Sequence, residues 1–128
     1  MNLKTIVAPP GYRLDPIPDT LKHGTHHWNI AQCEVEDLYD LLTNGGKQPR
    51  HIIMTRLLQA RPPAREAFFM SLMIGGCHIP DFPGAPGRGN WVAYPENLSI
   101  TVILNDTEEW EENDPGAANM RKELCKFL

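Results

Sequence analysis

Apolar residues in this chain recur with two different periods, and proline and glycine separate the runs. The stretch "LKTIVA" (3–8) is rich in β-branched residues and stops at Pro9-Pro10, which predicts a short strand at a sheet edge. Prolines at 9, 10, 16 and 18 then forbid regular structure as far as Gly24, so 9–24 is expected to be an arm or long loop. "THHWNIAQ" (25–32) reads as a second strand. "EVEDLYDLL" (34–42) follows as a helix with Val35, Leu38, Leu41 and Leu42 on one stripe, ended by Asn44-Gly45-Gly46.

Pro49 suits the first turn of a further helix, in which Ile53, Met54, Leu57 and Leu58 fall on one side. A strand is the competing reading of "HIIMTRLL", because a short apolar run fits both periods. Pro62-Pro63 opens the next helix, and "AREAFFMSLMI" is apolar almost all round, as a central buried helix is, before Gly75-Gly76 ends it. Three prolines and three glycines in "CHIPDFPGAPGRGN" predict a long loop over 77–90. "WVAY" and "LSITVIL" read as a hairpin joined at "PEN". Asp106 with Glu109 three residues on fits a reciprocal helix cap, and Pro115 opens a last helix to Leu128 with Met120, Leu124 and Phe127 on its apolar side. Strands first, then helices, a hairpin and helices again predict a single α+β domain over 1–128: a small antiparallel sheet of about four strands against three to five helices.

Composition narrows the setting. Three cysteines, widely spaced and odd in number, suit a reducing compartment better than a disulfide scaffold. The start "MNLKTIVAPP" lacks a signal-peptide core, and "FFMSLMI" is too short to span a bilayer, so a soluble cytoplasmic protein is expected. A net charge of −4 argues against general nucleic-acid binding. That charge is blocked along the chain: Lys47, Arg50, Arg56, Arg61 and Arg65 stand without an acid among them, whereas residues 106–114 hold six acids and no base.

Catalytic chemistry is poorly represented. Neighbouring residues of a strand face opposite sides, so His26 and His27 cannot clamp one ion. A zinc site would have to combine His26 with His78 and Asp81, with Cys77 or His51 as a further ligand, which defines the alternative reading, a metal-dependent hydrolase-like enzyme. No paired-cysteine or H-E-x-x-H spacing supports it. Cys77 follows a helix C-terminus and Cys33 has Glu34 and Glu36 beside it, both poor places for a thiolate. "GAPGRGN" lacks the dinucleotide spacing and a following helix, so it reads as a rim loop with Arg88 as a partner contact. The three-helix run followed by a hairpin, with its basic block at 47–65, resembles a winged helix-turn-helix only superficially, since its third helix has no polar face for base edges.

The segment "NDTEEWEENDP" differs in kind. Trp110 stands among Asp106, Glu108, Glu109, Glu111 and Glu112, the composition of a protein contact in which an indole supplies area and carboxylates steer a basic partner. The opposing reading has the acids capping a helix start and Trp110 folded onto the core. The sequence thus points first to a small non-enzymatic interaction protein without a cofactor. It would be an inhibitor of the phage or mobile-element type, binding a larger basic, nucleic-acid-handling protein through Trp110, the five acids and Arg88. Pairing of the basic block with an acidic block of a second copy would give a homodimer.

Overall fold

The run "HIIMTRLL" decides the architecture. In the computed structural model, which describes residues 1–8, 25–38, 51–79 and 90–128, its first half is a strand, β3 (His51–Thr55). β1 (Asn2–Val7), β2 (Thr25–Asn29) and β6 (Ser99–Leu104) join it in one sheet of order β1-β6-β3-β2. All three pairings are parallel, with Thr5 level with Val102, Met54 level with Val102, and Trp28 level with Met54. The expected α+β fold with an antiparallel sheet is therefore wrong: the chain is mixed α/β, a four-strand parallel sheet plus a separate two-strand hairpin.

The physical reason lies in burial. Ile52, Ile53, Met54 and Thr55 are all buried, as in a parallel strand covered on both faces, and such a strand loses the alternation that would distinguish it from a helix. The expected hairpin also has different partners. β5 (Asn90–Ala93) pairs antiparallel with β4 (Gly76–Ile79), which runs from Gly76 into the stretch expected to be loop, and Cys77 lies opposite Val92. β6 is inserted between β1 and β3 instead. The remainder of that loop and the 9–24 arm lie outside the described residues.

β2 ends earlier than its sequence suggested, because the Asn29 side chain accepts from the Ala31 amide and turns Ile30–Gln32 into a 3-10 turn. Residues 35–38 are helical. α1 (Pro62–Ile74) starts on its proline pair and stops where Gly75, at φ 78, takes the left-handed conformation that closes the helix on Ser71. α1 is not buried all round. Ala64, Phe68 and Leu72 face the core, whereas Met70 and Ile74 are half exposed. α2 (Pro115–Leu124) buries Ala117, Met120 and Leu124 and passes into a 3-10 turn, Cys125–Phe127.

Ile30, Cys33, Leu38, Phe68, Leu72, Met120 and Leu124 form one cluster with Ile52, Met54, Ile100 and Val102, so the described helical segments cover one face of the sheet. The other face carries His27, Thr55, His51 and Thr101: the His27 ring nitrogen meets the Thr55 hydroxyl at 2.7 Å, and His51 meets Thr101 at 3.0 Å. Among the described residues no helix is long and apolar enough to cross a membrane.

Candidate functional site

In parallel α/β sheets, ligands and partners are met at the carboxyl ends of the strands, where the connecting segments leave the sheet. β3 and β6 are neighbours with Thr55 level with Ile103, so their two outgoing segments, 56–61 and 105–114, leave side by side. Between them lies a hollow of about 290 Å³ lined by Leu58, Gln59, Ala60, Pro62, Arg65, Trp110 and Asp114. Trp110, singled out in the sequence, thus forms one wall of a notch at the edge where this architecture places its sites. The adjacency of the two segments could not be read from the chain while β3 stood as a helix.

Much of the acidic block fastens the notch. Glu111 is buried and pairs with Arg121, Oε1 to Nε at 2.8 Å, while its Oε2 accepts from the Glu108 amide at 2.8 Å. Arg121 also donates to the carbonyls of Asn105 at 2.7 Å and Asp106 at 3.5 Å, drawing the outgoing segment of β6 onto α2. The short helix is a 3-10 turn, Glu109–Asn113, with Glu108 at its N-cap, two residues beyond the Asp106 cap expected from sequence. The Trp110 indole N–H donates to the Glu108 carboxylate, and the ring is half-buried against the core cluster.

Asp114 closes the floor. It accepts from Arg65 through both oxygens, at 2.8 and 3.2 Å, and caps α2 by accepting from the Ala117 amide at 3.1 Å. The bonds from Arg65 and then from the amide hold its carboxyl below the ordinary carboxylate pKa. Arg65 is itself buried, and it also reaches the Leu58 carbonyl at 3.4 Å. One guanidinium therefore ties the outgoing segment of β3 to that of β6. Its sequence signal was a charge at the edge of an apolar helix, which requires a partner if buried.

Asp106, Glu109 and Glu112 are left exposed around Trp110, with no ion pair among the described residues. Within the basic block, Arg65 is bound to Asp114, and Arg61 meets Glu34 at 3.0 Å in an exposed pair. Arg56 is exposed and has φ 56, the only non-glycine residue with positive φ among those described. Sequence reasoning gave Arg56 a role only as one member of the basic block, and no local signal marks its backbone conformation. Arg88, Lys47 and Arg50 lie outside the described residues.

The residues of the metal reading fall on different elements where they are described. His51 is in the parallel sheet, whereas Cys77 and His78 are in the hairpin, where the His78 and Trp91 rings meet edge to face at 5.2 Å. His26 sits level with Ile52, and Asp81 lies outside the described residues. Among the described residues no three His, Cys, Asp or Glu side chains are grouped to hold an ion. The Cys33 thiol is pushed up to about 11, by burial first and then by Asp37 and Glu34, and burial also raises Cys77.

A second hollow, of about 590 Å³, borders β2, lined by His27, Trp28, Asn29, Gln32, Cys33 and Asp37. Its thiol is disfavoured as a nucleophile for the reasons just given. No protein-family model matches this chain, and no curated protein or solved structure matches it.

Proposed function

We propose that the protein is a non-enzymatic interaction module that binds a basic protein partner at the Trp110 notch. One observation carries the reading: a small hollow with an indole wall has the Arg65–Asp114 ion pair in its lining, while Asp106, Glu109 and Glu112, exposed neighbours of Trp110 in the chain, make no ion pair among the described residues. An apolar side chain of the partner enters between Leu58, Pro62 and Trp110. Lysines or arginines beside it meet Asp106, Glu109 and Glu112 at the solvated rim, where charge governs the encounter rate more than the final affinity. A nucleic-acid-handling protein offers such a surface, since it must carry cations for phosphates, and covering that surface inhibits it.

The test separates rim from anchor. A labelled peptide with one leucine flanked by lysines is titrated against the parent and against Trp110→Ala and the pair Glu109→Lys, Glu112→Lys. Loss of the indole should weaken binding about tenfold or more, and charge reversal should slow low-salt association while leaving the thermal midpoint near that of the parent. Glu111 is not a residue for this test, because it is buried and paired. Equal binding by all proteins at low ionic strength would remove the proposal.

A further inference from the structure

The two edge strands of the parallel sheet differ in how they are protected. β1 carries an exposed lysine, Lys4, is followed by Pro9-Pro10 and lies against the 3-10 turn Cys125–Phe127. Charge, proline and a covering segment are the ordinary means of keeping an edge from pairing with another chain. β2 has neither charge nor proline: Thr25–Asn29 include no lysine, arginine or carboxylate. Among the described residues no strand pairs on its outer side. The hollow of about 590 Å³ lies there. Successive residues of a strand point to opposite faces of the sheet, so one hollow lined by His27, Trp28 and Asn29 together cannot lie over a single face. It follows the backbone edge that β3, on the inner side, leaves uncovered. An added strand would lie on that side, about 4.8 Å from β2.

We infer that two copies of this chain join along β2, antiparallel, about a twofold axis at His27. Centring the axis on a residue keeps the core faces of both sheets on the same side, and only His27 as the centre pairs the whole strand. Thr25 then stands level with Asn29 of the second copy, His26 with Trp28, and His27 with His27. Charge suits this arrangement and no parallel one. Glu34 and Asp37 follow the carboxyl end of β2, and Asp37 lines the hollow. Antiparallel pairing sets the two acidic ends at opposite ends of the joined strands, whereas parallel pairing would set them side by side. The contact is isologous and closes on itself, one continuous sheet passing through both copies. It shares no described residue with the Trp110 hollow, so the two readings stand or fall separately. A pairing of two five-residue strands is small among protein interfaces and gives a weak dimer.

Sedimentation equilibrium of the parent from about 10 μM to about 1 mM, the range of weak association, should show the mass rising from one copy toward two. Hydrogen exchange at the two ends of that range should show the largest gain in protection over 25–29. His27→Lys and His27→Glu supply the register test, since both lose the bond to Thr55 alike. Alone, each sets like charges opposite one another at the axis and should dimerise about threefold to fivefold more weakly than the parent. Mixed in equal amounts, they should associate about tenfold more tightly than either alone, because opposite charges replace like ones. A parent that stays a single copy up to about 1 mM, a dimer whose protection falls on β1 or on 106–114, or a mixture no tighter than its components would each overturn the inference. If the charged variants lose the circular dichroism of the parent, the exchange map of the parent decides alone.

Discussion

Replacing Glu111 by alanine tests whether the acidic segment is fastened as described. The Glu111 side chain is 2 % exposed and that of Arg121 15 %, so the pair is largely removed from water. Deleting the carboxylate leaves the Arg121 charge without its counter-ion and the Glu108 amide without its acceptor. Breaking one partner of such a buried pair costs about 3–5 kcal/mol. For a chain of 128 residues, an unfolding entropy of about 2.1 cal/mol/K per residue gives about 0.27 kcal/mol/K, so the midpoint should fall by about 11–19 °C. Differential scanning calorimetry on the parent and Glu111→Ala measures that fall, and Glu111→Leu, Arg121→Met and their combination complete the cycle. The doubly replaced protein should recover to within about 1–2 kcal/mol of the parent, because an apolar pair removes both desolvation costs at once. A fall of less than about 4 °C in Glu111→Ala, or a double variant no better than the worse single one, would refute the account.

Three further outcomes are expected. Gly76→Ala should destabilise the hairpin by about 3 kcal/mol in denaturant titration, since the added Cβ would lie 2.3 Å from the Val92 carbonyl oxygen and 2.8 Å from the Ala93 Cα. Asp114 has a folded-state pKa below its ordinary 3.8, so its bonds to Arg65 and Ala117 stabilise the fold above that value and lose their effect as pH falls through the folded pKa. The gap in melting temperature between the parent and Asp114→Asn should accordingly be full at pH 6 and narrow on acidification below about 3.8; a constant gap would contradict it. Cys33, raised from 9.0 to about 11, should alkylate at pH 8 about a hundredfold more slowly in the native protein than in urea, from thiolate fraction alone, as peptide mass mapping after iodoacetamide would register.

The elements with a clean period or clear punctuation were legible in the chain. β6 alternates strictly, burying Ile100, Val102 and Leu104, and α1 begins and ends on the proline and glycine pairs that mark it. The sheet's direction was not legible, because it turns on β3, whose Ile52, Ile53 and Met54 fit a helix stripe as well as a strand buried on both faces. With β3 read as a helix, β6 was assigned to β5 and the parallel crossovers vanished. β4 was hidden for a different reason: four residues beside a glycine-rich stretch carry too little pattern to stand out. At the site, Trp110 and its acids were visible as a composition. The division between Glu108, Glu111 and Asp114, which hold the segment, and Asp106, Glu109 and Glu112, which face solvent, depends on Arg65 and Arg121 arriving from two different helices. No spacing in the segment itself encodes that.

The place of β6 between β1 and β3 has a consequence for how the protein is made. β1 finds its sheet partner only after residue 104 has been translated, since Asn2–Val7 pairs with Ser99–Leu104. Until then the nascent polypeptide carries an unpaired β1 and a β3 open along one side, the condition in which strand edges recruit foreign chains. Closure over so long a sequence separation is slow. A stop codon anywhere before β6 should therefore yield an aggregating fragment.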